Sequence, residues 1–139
     1  MGRALGTAVQ LVSDCRDLFE APHSKDLAAG TRTLPIALTL DRLAGDERTA
    51  FVALLHRART DTAAGLAVRA RIRAARVLPM CSMIIEVHRQ RALAAIDASG
   101  APEAARLRLR TLVDYGTSGL PARRAQIGDE RAAGAGDDE

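Results

Sequence analysis

The sequence predicts an all-α protein: an antiparallel bundle of five or six helices with a disordered C-terminal tail. Apolar residues recur at i, i+3 or i+4 and i+7 in successive segments, the period of a helix with one face turned inward. Strand-like alternation never runs beyond a few residues, the longest case being Leu107-Arg108-Leu109-Arg110. Glycine, proline and small polar residues fall between the apolar segments, where helices stop and start. At 139 residues the chain is expected to form one helical domain over residues 1–118, with residues 119–139 as a flexible tail. The aromatics are Phe19, Phe51 and Tyr115, and there is no tryptophan. Alanine, leucine, valine and isoleucine must therefore fill the core, which favours closely packed helices.

The first helix is expected over residues 2–19. Leu5, Val9 and Val12 form one stripe, and Ala4, Ala8, Leu11 and Cys15 fill the neighbouring one, so most of its circumference is apolar. Residues 24–35 read as a short polar loop, with a helix start at Thr33 and Pro35 in the first turn. Ile36, Leu40 and Leu43 carry the next stripe to Gly45, a suitable residue to follow a helix. Asp46 is read as the cap of a helix whose Phe51, Leu54, Leu55 and Ala58 face inward, and Thr60-Asp61-Thr62 breaks it. From Ala63 to Leu78 the inward pattern is Leu66, Ala70, Arg73 and Val77, flanked by Ala63, Ala67 and Ala74. Pro79 ends or kinks that helix. The most apolar helix follows, from Met80 to Ala98, with Met80, Met83, Ile84, Val87, Leu93 and Ile96 as its apolar set. Ser99-Gly100-Ala101-Pro102 is a turn. Pro102 opens a last helix that turns Ala105, Leu109, Leu112 and Val113 inward and closes at Gly116. Gly128 to Glu139 is glycine, alanine and acid, too poor in apolar residues to order itself.

Composition sets bounds on function. No apolar run is long enough to span a bilayer, and the N-terminus lacks a secretory pattern. Cys15 and Cys81 are isolated in sequence and read as reduced thiols, so a cytoplasmic protein is expected. The net charge is +3, nearly all of it from arginine. Nine arginines lie between Ala63 and Thr111, with Arg69, Arg73 and Arg76 on one helix face and Arg106 and Arg110 on another. With no aromatic interleaving for base stacking, these read as solvated faces, and nucleic acid is not the expected partner. His23, His56 and His88 show no ligand spacing.

The candidate site lies in residues 2–35. Gln10, Asp14 and Asp17 fall on one face of the first helix, with Ser13 beside them. Two carboxylates one turn apart on a largely apolar helix are costly to bury unpaired, and a hard divalent cation is a natural partner. The order Gly6, Gln10, Ser13, Asp14, Asp17, followed by Asp26, Leu27, Gly30, Thr31, Thr33, Leu34 and Pro35, resembles the second aspartate-rich region of the trans-isoprenyl diphosphate synthases. Ser13 stands where the family has the first aspartate, and Gly30-Thr31 stands for its Gly-Lys, with Arg32 next to it. The family's other motif, Asp-Asp-x-x-Asp, does not occur in the chain. The resemblance covers the C-terminal part of an isoprenoid-synthase fold.

The resemblance implies a magnesium-dependent prenyltransferase that condenses an allylic diphosphate with isopentenyl diphosphate, incomplete when alone. Asp14 and Asp17 would be metal ligands and Gln10 would lie on the substrate side. Asp26, Arg32 and Thr33 would position the loop and the diphosphate. The alternatives are a non-catalytic subunit of a full-length synthase, or a terpene-synthase-like ionisation of the same substrate. An open apolar helix face, with Met80, Met83, Ile84 and Val87 as its candidate seam, would then lead to a homo- or hetero-oligomer.

Overall fold

In a computed structural model, which describes residues 2–118, the chain is all-helical. The expected tail, residues 119–139, lies outside the described residues. Seven helices appear among the described residues: α1 (Gly2–Phe19), α2 (Lys25–Ala29), α3 (Leu34–Arg42), α4 (Gly45–Arg57), α5 (Thr62–Ala74), α6 (Leu78–Asp97) and α7 (Glu103–Thr117). The helix beyond the expected five or six is α2, which occupies the stretch read as a polar loop. The described residues fall into two compact units. One holds residues 2–12 and 82–118, and the other holds residues 13–81.

In the second unit, Leu18, Ile36, Phe51, Val68, Ile72 and Val77 are the buried heart of the core. Each such side chain withdrawn from water contributes about 1.5–3 kcal/mol, before the entropy of ordering is subtracted. The stripes expected on α3 and α4 are the ones buried: Ile36, Leu40, Leu43, Phe51 and Ala58. On α5 the expected stripe is displaced. Ala64, Val68 and Ile72 point inward, while Leu66 is 59% exposed. The helix is so rich in alanine that two stripes are apolar, and the one carrying the β-branched pair is buried. Here α4 packs along α5, and α3 also touches it.

Helix ends in this unit are set by short contacts. Asp61 caps α5, its carboxylate accepting from the Ala63 amide at 2.8 Å. Asp46 is not the cap of α4: the helix starts at Gly45 after Ala44, so Asp46 and Glu47 lie in its first turn and act on its dipole. Past α5, Arg76 adopts a left-handed backbone (φ 51°) and so leaves the helix face expected for it. Arg42 donates to the Ala75 carbonyl and, at 3.2 Å, to the Arg76 carbonyl, holding that helix end. Cys15 and Cys81 are both buried, and their thiols are hydrogen-bonded to each other. That bond, with burial, pushes the Cys15 thiol up from its ordinary value.

In the first unit, Ala8 and Val12 pack with Ile85, and Ala92, Ile96 and Val113 form a second cluster with Leu5 and Leu109 at its edge. The buried face of α6 here is Ile85, Ala92 and Ile96, whereas the expected Met83 and Val87 are 61% and 44% exposed. Leu112, expected inward on α7, is also exposed, and so is Val9. Gly116 lies so close to Val9 that a Cβ there would stand 2.8 Å from Val9 Cγ2.

Candidate functional site

The candidate residues of the second unit gather around α2, and Asp17 explains why that helix exists. After α1, the Glu20 and Ala21 amides both donate to the Arg16 carbonyl, and this turn brings Ser24 back to Asp17. Asp17 Oδ2 accepts from the Ser24 hydroxyl at 2.5 Å and from the Asp26 amide at 3.1 Å, while Oδ1 accepts from the Lys25 amide at 3.1 Å. Ser24 Oγ in turn accepts from the Leu27 amide at 3.1 Å. The exposed amides that open a helix need acceptors, and here two side chains from different elements supply them. Burial raises the Asp17 carboxyl, but the Ser24 hydroxyl and the two amides outweigh it and hold it below its ordinary value. Five residues would not stay helical alone. Gly30 closes the helix in the left-handed region, its amide donating to the Leu27 carbonyl at 3.1 Å.

Asp26 lies within electrostatic reach of the other two carboxylates. Burial raises it first, and then the charges of Asp17 and Asp14. Asp14, Asp17 and Asp26 thus form an acidic neighbourhood. Magnesium takes near-octahedral oxygen ligands at about 2.0–2.1 Å. Both Asp17 oxygens already accept from O–H or N–H donors. Among the described residues, no group of three His, Cys, Asp or Glu side chains is placed to hold a metal ion. Gln10 is exposed on the part of α1 that belongs to the first unit.

Thr33 precedes α3 in an extended backbone (φ −76°, ψ 164°) but makes no side-chain capping bond. It is 2% exposed, and its hydroxyl has no partner among the described residues. Pro35 sits at the start of α3, as its fixed φ favours. Arg32 is exposed on the loop between them and lines a pocket of about 150 Å³. Leu27, Ile36, Leu40, Val52 and Leu55 supply its apolar wall, and Arg32, His56, Arg59 and Thr31 its polar part. No acidic side chain among the described residues lines it.

Arg59 was not marked by any sequence pattern. It follows α4 in a turn, and its side chain lies across Gly30: a Cβ on that glycine would be 3.5 Å from Arg59 Nε. Only the approach of the α4–α5 connection to α2 brings it to the pocket. Several arginines of the sequence patches have partners. Arg69 donates to the Ala21 carbonyl at 2.7 Å, Arg71 to Glu47 at 2.8 Å, and Arg73 lies 5.3 Å from the Phe19 ring centre. In the first unit, Arg89 bridges Glu86 and Asp114, and Arg110 pairs with Asp97. No helix among the described residues is long and apolar enough to cross a membrane.

Comparison with protein-family models, with curated proteins and with solved structures finds no match to this chain.

Proposed function

We propose that the chain is a prenyl-diphosphate-binding module of isoprenoid metabolism, similar to the C-terminal part of the trans-isoprenyl diphosphate synthases, and that it does not catalyse the condensation by itself. The observation that carries this reading is the composition of one pocket: two arginines and a histidine beside five aliphatic side chains, with no lining carboxylate among the described residues. Arg32 occupies the loop Asp26-Leu27…Gly30-Thr31-Arg32-Thr33-Leu34-Pro35, the segment on which the resemblance rests.

In this reading Arg32 and Arg59 hold the diphosphate through charge-assisted, two-pronged hydrogen bonds. Leu27, Ile36, Leu40, Val52 and Leu55 cover the first carbons of the tail. At about 150 Å³ the pocket takes only part of such a ligand, since sites that enclose one measure about 300–1,000 Å³. The non-catalytic part of the reading is supported by Asp17, which serves as a helix cap. It is also supported by Ser13 at the family's first aspartate position.

Calorimetric titration with geranyl diphosphate, with and without magnesium, tests the reading. Saturable binding is expected in both conditions, and Arg32→Ala should weaken it about tenfold, equivalent to ~1.4 kcal/mol. Isopentenyl diphosphate should not be consumed. Equal affinity of the Arg32→Ala variant would refute the pocket assignment, and product formation by the purified chain would refute the non-catalytic assignment.

A further inference from the structure

The second pocket of this unit, about 190 Å³, shares Leu27 and Arg59 with the first. We propose that it is a separate phosphate site, lined by Arg59, Arg69 and His23, that takes inorganic phosphate or a small phosphate monoester.

Four features of the lining favour that chemistry. Arg59, which lines both pockets, makes no ion pair with any described residue. Arg69 is anchored by one amino group, which donates to the Ala21 carbonyl at 2.7 Å, and its side chain lines the pocket. The hydroxyl residues Thr60 and Thr62 line the same pocket and can donate as well. The single lining carboxylate, Asp61, has Oδ1 on the Ala63 amide and Oδ2 on Arg57 at 3.4 Å, so its charge is already matched.

Two guanidinium groups on separate segments call for a ligand with more than two acceptor oxygens. A carboxylate fills one guanidinium fork, whereas a tetrahedral phosphate can accept from both and from a hydroxyl. The pocket also offers apolar contact from Leu27, Ala58 and the half-exposed Leu66, which a small organic group on the phosphate would cover. A monoester is therefore expected to bind more tightly than inorganic phosphate. The two pockets share Leu27 and Arg59, whereas Arg69 and His23 line only this one.

The test is amide chemical-shift titration of the whole chain with inorganic phosphate and, separately, phenyl phosphate, at constant ionic strength set with sodium chloride. Saturable shifts are expected in residues 22–28 and 58–69, with phenyl phosphate binding the tighter. Arg69→Leu should weaken both about tenfold while leaving geranyl diphosphate binding unchanged. His23→Ala, at an exposed position that the fold does not need, should weaken both several-fold and serves if Arg69→Leu does not fold. Overturning results are the absence of saturable shifts at millimolar phosphate, shifts reproduced by chloride alone, or shifts unchanged in His23→Ala. Tighter binding of inorganic phosphate than of phenyl phosphate would overturn the monoester assignment.

Discussion

Replacing Asp17 by alanine removes the acceptor of three hydrogen bonds at once: the Ser24 hydroxyl and the Lys25 and Asp26 amides. A helix cap is worth about 0.5–2 kcal/mol, and a hydrogen bond to a charged group about 1.5–3 kcal/mol where it is shielded from water. Asp17 is only partly buried, so the cap range governs and a loss of about 1–2 kcal/mol is expected. In a unit of this size that lowers the melting temperature by roughly 4–16 °C, read by circular dichroism at neutral pH. The folded-state carboxyl of Asp17 lies below its ordinary value. Its stabilisation is therefore fully present above the unfolded value of about 3.9 and is lost as pH falls through the folded one. The gap between wild type and Asp17→Ala should close in acid. Ser24→Ala should lose much of the same energy, and the double variant should cost less than the sum, because Ser24 and Asp17 act on one helix start. An Asp17→Ala protein that melts within about 1 °C of wild type at neutral pH would refute the capping argument. A deficit that persists undiminished in strong acid would refute its electrostatic part.

Gly30→Ala places a Cβ on a left-handed residue (φ 73°) and should cost about 1–2 kcal/mol, measured by urea unfolding, with Asn at the same site costing less. Gly116→Ala sets a Cβ 2.8 Å from Val9 Cγ2, an overpacking expected to cost about 1–3 kcal/mol. The combined Gly116→Ala, Val9→Ala variant should recover part of that loss. Ile72→Ala empties a fully buried position in the second unit and should cost about 2–5 kcal/mol, whereas Leu66→Ala on the same helix should leave the urea midpoint almost unchanged.

The helical class, most helix limits and the faces of α3 and α4 were legible because those segments mix aliphatic and polar residues at a clear period. Phe51 and Ala58 lie buried at the spacing that marks them. The faces of α5 and α6 were less legible. Where alanine fills several stripes, periodicity does not distinguish Leu66 from Val68, or Met83 from Ile85, and packing against neighbours decides. The short helix α2 was illegible because its stability does not come from its own five residues. It comes from Asp17, which is eight residues upstream of its first residue. The same contact bears on the metal-site expectation. Two carboxylates one turn apart on α1 pose the question of what pairs with them. For Asp17 the structure answers with backbone amides and a serine, a pairing that spacing along one helix cannot reveal. Arg59 was invisible for a related reason: nothing near it in sequence marks it, and only the fold brings it beside Gly30.

The hydrogen-bonded thiols of Cys15 and Cys81 make this chain a recorder of its own fluctuations. Only a thiolate reacts with an alkylating reagent, and in the closed state both thiols are buried. These are the chain's only cysteines. Every alkylation event therefore marks a moment when the cover over Cys15 or Cys81 has opened, and in excess reagent the rate of labelling counts those openings. The breathing of that cover can thus be timed in the unmodified sequence, with no probe attached and no residue exchanged.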